Sequence, residues 1–254
     1  MNSKNLVQKE FGANAPAYVE SQSHRMGASL SRLLALVPPK PNWRVLDVAS
    51  AIGYTAFVFA PYVKHVWSTD ITTEMLDLAR QEATARGLAN VTVEYADAEA
   101  LPYDDNSFDL VTCRIAPHHF EDASLFVAEG ARVLRRGGIL AVVDNVVPDD
   151  PGGDYVNAFE KLRDRSHNRC FSLREWLAIF STAGLVVTHS ETVDKEVNFE
   201  FWAKRHDAHT QLYLRTMLAY APKLAADFLR PTNTKDGTLF HLQEGIIIGR
   251  KNSP

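Results

Sequence analysis

The sequence predicts an α/β protein on a Rossmann-like doubly wound sheet, and three observations predict it. Apolar, β-branched runs of strand length recur: RVLDVA (44–49), VKHVWSTD (63–70), VTVEYAD (91–97), FDLVTCRI (108–115) and ILAVVDNV (139–146). Such runs read as strands buried on both faces. Helical patterns with recognisable ends lie between them, and that alternation implies a parallel sheet joined by crossovers.

The elements follow in order. Phe11, Tyr18, Ser21 and His24 have spacings that place several of them on one helical face, either as a cover over a ligand or as simple packing on the sheet. Leu30, Leu33, Leu34 and Val37 suit one face of a second helix, which Pro38, Pro39 and Pro41 stop. The chain then enters VLDVASAIGYTAFVFA (45–60), which has the outline of a strand, a tight loop and a helix. In an open parallel sheet the ligand sits beyond the carboxyl ends of the strands where strand order reverses, so Ala49 to Gly53 should face it. A dinucleotide needs glycines that let backbone approach its pyrophosphate. Ala49, Ser50 and Ala51 fit that demand badly, whereas a nucleoside without phosphates relaxes it.

Thr72 is placed to cap a helix carrying Met75, Leu76, Leu78 and Ala79, with Gly87 to end it. Asp109 reads as a turn residue at the start of strand four, Asp122 as the next cap, and Gly137 and Gly138 as the turn back to the sheet. Asp144, at the end of strand five, and the polar loop RDRSHNR (163–169) belong at the carboxyl rim, with His167 the loop member of most interest. Ser172 and Glu175 form a capping box before Trp176, Leu177, Ile179 and Phe180, and Gly184 closes that helix. LVVTHS (185–190) and GIIIG (245–249) are separated by helical material, which implies an antiparallel edge. Between them, residues 199–229 carry Phe199, Trp202, Leu212, Leu214, Met217, Leu218, Leu224, Phe228 and Leu229, enough apolar surface for a substrate wall or a homodimer contact.

Bulk properties narrow the partners. The 254 residues suit one domain, with 1–42 as a helical cover, 43–150 as the ligand-binding core and 151–254 as substrate-side and edge elements. A net charge of -4, from 27 basic and 31 acidic residues, offers no footprint for nucleic acid. Cys113 and Cys170 are too few for a disulfide framework, and neither cysteine nor histidine spacing suits a metal. No apolar run approaches the roughly 20 residues of a membrane span, so no integral membrane association is expected. The polar start MNSKNLVQKEF makes the cytoplasm the expected compartment.

Four motifs together carry a resemblance. VLDVASAIG, Asp70 at the end of strand two, Ala96 and Asp97 at the end of strand three, and LRRGGIL (134–140) resemble the class I S-adenosylmethionine-dependent methyltransferases. Within that class, ADAEALPYDDNSFDLVTCRIAPHHF (96–120) is similar to the ubiquinone and menaquinone biosynthesis type, and the likeness covers roughly residues 10–190. It implies seven strands in the order 3-2-1-4-5-7-6 with strand seven antiparallel, a helical N-terminal cover and a helical insertion before the last strand. It implies S-adenosylmethionine as cofactor, with Asp47 and the loop Ala49, Ser50, Ala51 and Gly53 at the methionine end. By the same resemblance Asp70 takes both ribose hydroxyls, Asp97 and the amide of Ala98 read the adenine edge, Ile71 and Met75 pack on the ring, and Arg114 lies beneath the sulfonium.

Two departures matter. Ala51 stands where glycine is usual, and a positive φ there would add about 1–2 kcal/mol of strain. APHHF replaces the Asn/Asp-Pro-Pro-aromatic motif of amine and base methyltransferases, so that acceptor class loses ground. The expected activity is methyl transfer to a carbon, oxygen or other nucleophilic atom of a small apolar or aromatic acceptor. His119, His167 or Tyr18 would act as base, with His118 a weaker candidate. Two alternatives compete: a non-catalytic scaffold, supported by Ala51, and a nicotinamide-dependent oxidoreductase, which lacks its phosphate glycines.

Overall fold

The computed structural model describes residues 3–19 and 27–252, with side chains for all of these except 16–19. Five parallel strands form its centre: β1 (Arg44–Val48), β2 (His65–Asp70), β3 (Val91–Tyr95), β4 (Phe108–Arg114) and β5 (Leu134–Val146). Their spatial order is β3-β2-β1-β4-β5, so strand order reverses between β1 and β4 and a crevice opens beyond their carboxyl ends. β8 (Gly237–Lys251) lies antiparallel to β5, and β6 (Leu185–Asn198) lies antiparallel to β8 on the outside. A three-residue strand, β7 (Thr232–Thr234), pairs with the start of β8. Setting β7 aside, this is the order 3-2-1-4-5-7-6 with its antiparallel strand.

Period-two alternation splits each central strand between two cores. Leu46, Val48, Val111 and Cys113 join Phe126 of α5 (Ala123–Val133) and Trp176 and Phe180 of α7 (Leu173–Thr182) on one face. Val45, Val66, Leu110 and Val143 join Leu33 of α2 (Ala28–Leu36), Phe59 of α3 (Tyr54–Phe59) and Met75 of α4 (Thr73–Ala85) on the other. α1 (Ser3–Val19) packs on α4, where Gln8 donates to the carbonyl of Ile71 at 2.7 Å.

Helix ends follow local chemistry. Asp122 accepts from the amides of Ser124 and Leu125, and Ser172 and Glu175 complete a reciprocal capping box. Gly87 and Gly184 adopt φ of 67° and 75° past their helices, the left-handed cap that glycine adopts without strain. Thr72 stands at the cap of α4 but makes no side-chain cap bond; its hydroxyl supports the Asp70 carboxyl instead.

Three expectations need correction. Asp109 is inside β4, where it accepts from the Arg44 amide at 2.7 Å and pairs with Arg135. Gly137 and Gly138 lie in an irregularity within β5, because Phe108 pairs with Leu134 while Leu110 pairs with Ile139. The edge strands are far longer than LVVTHS and GIIIG, since β6 alternates exposed and half-buried residues and half of it is polar by design of an edge.

Two further segments build the side of the crevice facing away from β3. α6 (Pro151–Arg163) starts at Asp150, whose side chain accepts from the Gly152 amide. Between β6 and β8 come α8 (Phe199–Ala203), α9 (Ala208–Ala219) and α10 (Lys223–Leu229). Phe199, Leu214, Leu218 and Leu229 form a third core with Val156 and Phe159 of α6 and Phe240 of β8, so most of the insertion's apolar surface is spent internally. Leu212 and Leu224 remain exposed.

Candidate active site

The loop after β1 folds by directing its own amides inward. Ser50 donates to the Thr69 carbonyl at 2.8 Å, Gly53 donates to the Ser50 carbonyl at 2.8 Å, and the Ser50 and Ser68 hydroxyls meet at 2.7 Å. Ala49 and Ala51 both take left-handed φ, 51° and 48°, and Gly53 takes 92°. A side chain at Gly53 would sit 2.9 Å from Phe57 and 3.0 Å from Ser68, so glycine is required there by space as well as by φ.

Two buried carboxyls frame this loop. Asp47 accepts from the Thr112 hydroxyl at 2.7 Å and from the Ala56 amide, in the first turn of α3, at 3.0 Å. Burial pushes its pKa up to about 7, although those bonds and Arg114 oppose the shift. Asp70 accepts from the Ala51 amide at 2.9 Å and the Thr72 amide at 2.8 Å, and burial raises its pKa too. The Thr72 hydroxyl and the Ile71 amide also reach this carboxyl, which holds it in place at the cavity wall. Arg114 donates to the Thr55 hydroxyl at 3.2 Å beneath the loop. At the far rim Asp97 takes the Glu99 amide at 3.0 Å and pairs with Lys4 of α1 at 2.5 Å.

These groups line one cavity of about 870 Å³, which falls within the ~300–1,000 Å³ of small-molecule sites. Asp47, Ala49, Ser50, Ala51, Asp70, Ile71, Asp97, Ala98, Arg114 and His119 all line it. So do Lys4, Val7, Phe11 and Asn14, which makes α1 a wall of the cavity as well as a packing helix. Gly53 stands behind the lining as the cap of α3, and Met75 is sealed in the core rather than facing a ring. The Tyr18 side chain, Ser21 and His24 lie outside the described residues. Two buried acids at the loop suit a ligand that brings positive charge and hydroxyl donors, and they repel a phosphate chain.

A second cluster stands across the cavity at the turn Pro117–His119. His118 Nδ1 lies 2.5 Å from Asp144 Oδ1; burial works to lower its pKa, but the Asp144 carboxylate prevails and raises it. His119 is held differently. Ser166 spends its one proton on Asp164 Oδ1 at 2.6 Å, so its oxygen receives the Nδ1 proton of His119 at 3.2 Å. That tautomer leaves Nε2 as the basic nitrogen. Burial, then the neighbouring His118, lowers the His119 pKa well below the ordinary value and keeps the ring neutral. Phe11 packs edge-on against it with centroids 5.0 Å apart.

His167 does not reach the cavity. It is 1% exposed, its Nε2 meets Asn157 Oδ1 at 3.0 Å, its carbonyl accepts from Lys161, and burial beside His118 lowers its pKa to about 3. The members of RDRSHNR that reach the His119 ring are Asp164 and Ser166; the signal was their i, i+2 spacing, seen here as a turn in which the Ser166 amide donates to Asp164 at 2.9 Å. Glu160 and Asn145, which also line the cavity, had no motif to reveal them.

A Rossmann-like sheet with two buried carboxyls framing the loop at its switch point defines the class of protein. Residues 46–142 match the family model described as a methyltransferase domain. The chain is 36% identical over 230 residues, 89% of its length and 91% of the other, to the uncharacterized methyltransferase YcgJ of Bacillus subtilis strain 168. The crystal structure of YcgJ superposes with a TM-score of 0.85 at 35% identity, covering 89% of this chain and 99% of that one. A demethylmenaquinone methyltransferase of Deinococcus radiodurans is 45% identical over 146 residues, 54% of this chain and 59% of its own. The ubiquinone/menaquinone biosynthesis C-methyltransferase UbiE of Zymomonas mobilis is 35% identical over 138 residues, 52% and 57% of the two chains. The chain therefore belongs to the class I S-adenosylmethionine-dependent methyltransferases, and S-adenosylmethionine is its cofactor.

Proposed function

We propose that this methyltransferase acts on a small acceptor with an acidic hydroxyl, a phenol or an enol, placing the methyl group on that oxygen or on an adjacent ring or enolic carbon. The observation that carries the reading is the chain Asp164–Ser166–His119, which fixes a neutral imidazole with Nε2 as acceptor in the cavity wall. A histidine whose basicity burial has reduced takes a proton readily only from an acidic O–H. The similarity to methyltransferases named for menaquinone and ubiquinone biosynthesis supports a ring acceptor.

Asp47, Asp70, Asp97, the loop Ala49 to Gly53 and the amide of Ala98 are what we assign to the cofactor; the amides of Ser50, Ala51 and Gly53 are spent on shaping that loop. When bound, S-adenosylmethionine supplies a methyl group on a positively charged sulfur that departs as a neutral thioether. The protein's work is then positional: the cradle and the opposite wall hold two reactants in line, while His119 takes the acceptor's proton. A non-catalytic scaffold is not favoured, because the relatives are methyltransferases and both cradle carboxyls are in place. Among the described residues no helix is long and apolar enough to cross a membrane, and we take the cytoplasm as the compartment. The exposed Leu212 and Leu224 leave a homodimer contact as part of this proposal.

The test is transfer of labelled methyl to panels of phenols, enols, amines and thiols. Phenols or enols should be labelled, and His119→Gln should lose roughly 10²–10⁴-fold in kcat with unchanged cofactor binding. Preferred labelling of amines, or full turnover in His119→Gln, would refute the reading.

A further inference from the structure

The cavity continues past His119 to α6, the end of β6 and α8, where Glu160, Lys195, Val197 and Trp202 line it. Glu160 is anomalous in that wall. It is 5% exposed, yet its buried Oε1 has no hydrogen-bond partner among the described residues. Asn145 Oδ1, at the carboxyl end of β5, is buried in the same cavity's wall and also without a partner among the described residues. A buried polar atom without a protein partner costs the fold stability, which makes these two atoms candidates for contact with a ligand in the cavity they line. Its neighbours limit what that is. Positive charge from Arg163, His118 and Lys195 reaches the carboxyl, and a cationic ligand would meet those same charges. A neutral O–H donor meets no such opposition.

We propose that Glu160, with the amide of Asn145, is a hydroxyl-binding subsite that selects acceptors carrying a second hydroxyl on the ring or enol being methylated. This rests on the acceptor class proposed above. A hydroxyl gives its one proton to Glu160 Oε1, which has no donor among the described residues, while its own oxygen can receive the side-chain N–H of Asn145.

Two measurements test it on the full-length protein saturated with S-adenosylhomocysteine. In calorimetry, naphthoresorcinol should bind at least about tenfold more tightly than its monomethyl ether, which keeps the ring and the hydroxyl facing His119 and lacks the second O–H. Glu160→Leu should abolish that preference while leaving S-adenosylhomocysteine binding unchanged. In thermal unfolding without ligand, Glu160→Leu should melt at or above wild type, by as much as about 2–4 °C, since it removes an unmatched polar group. Equal binding or no binding of the two probes by wild type overturns the proposal. So does a Glu160→Leu variant that keeps the preference, or one that melts below wild type, which would make Glu160 structural. His119→Gln should retain the preference and lose only turnover, so failure of the base and failure of the subsite give different results.

Discussion

Ala51 holds φ at 48°, in the region where an L residue's Cβ crowds its own backbone, and its amide is committed to Asp70. Glycine would remove about 1–2 kcal/mol of strain and return about 0.4–1 kcal/mol through unfolded-state entropy. Ala51→Gly should therefore be at least as stable as wild type, and Ala51→Val, with a branched Cβ, should lose more than about 1 kcal/mol in denaturant unfolding. A destabilised glycine variant would show that the methyl group packs usefully. Asp70 offers a companion prediction, because both its oxygens already receive loop amides. Asp70→Asn replaces one acceptor by a donor facing an amide, and it should weaken S-adenosylmethionine binding by more than about tenfold while costing about 1–3 kcal/mol of stability. Retention of wild-type affinity would remove Asp70 from the cofactor site. At this scale the loop and strand-end acids were legible because backbone geometry ties them to fixed offsets in sequence. Glu160 and Asn145 were not, since a missing partner exists only in three dimensions.

α1 is the element that closes the cavity, held at its start by Lys4 between Asp97 at 2.5 Å and Glu99 at 2.6 Å. Lys4 is about a third exposed, and ion pairs of that kind contribute only ~0.2–1 kcal/mol to folding. Their effect should appear instead in the cover's opening rate. Lys4→Ala is expected to leave the melting temperature nearly unchanged and to raise the dissociation rate of S-adenosylhomocysteine several-fold in stopped-flow displacement. An unchanged rate would mean that the clip plays no part in gating. Central strands and capped helices were readable because burial on both faces and cap chemistry are local signals. The long β6–β8 ribbon was not, because an edge strand such as THSETVDKE is polar on its open face. α6 was hidden by its start, where a proline and two glycines give no helical signal although Asp150 caps them into a helix.

For the whole molecule, the buried ionisable groups set how fold and ligand answer to pH. Asp47 has a folded pKa of about 7 against an ordinary 3.8, so between those values the folded state holds more protons than the unfolded state and stability falls as pH rises. Asp70 and Glu160, both raised by burial, act in the same direction. His118 is raised as well, so its contribution is complete below 6.5 and disappears as pH climbs through its folded pKa. His119 and His167 oppose them: held neutral by burial, they add stability as pH rises towards 6.5 and nothing more beyond it. Above 6.5 only the falling contributions remain, so the ligand-free protein should lose stability between pH 6.5 and 8. S-adenosylmethionine should reverse that sign at Asp47, because a cationic ligand favours the ionised carboxylate and expels its proton. With a free-protein pKa of about 7, the affinity should rise about tenfold from pH 6 to pH 8, with close to one proton released at the lower end. Calorimetry in two buffers of different ionisation enthalpy measures both quantities. A flat affinity with no buffer-dependent heat would mean that Asp47 is already ionised in the empty cradle, and Asp47→Asn should produce that flat profile at reduced affinity.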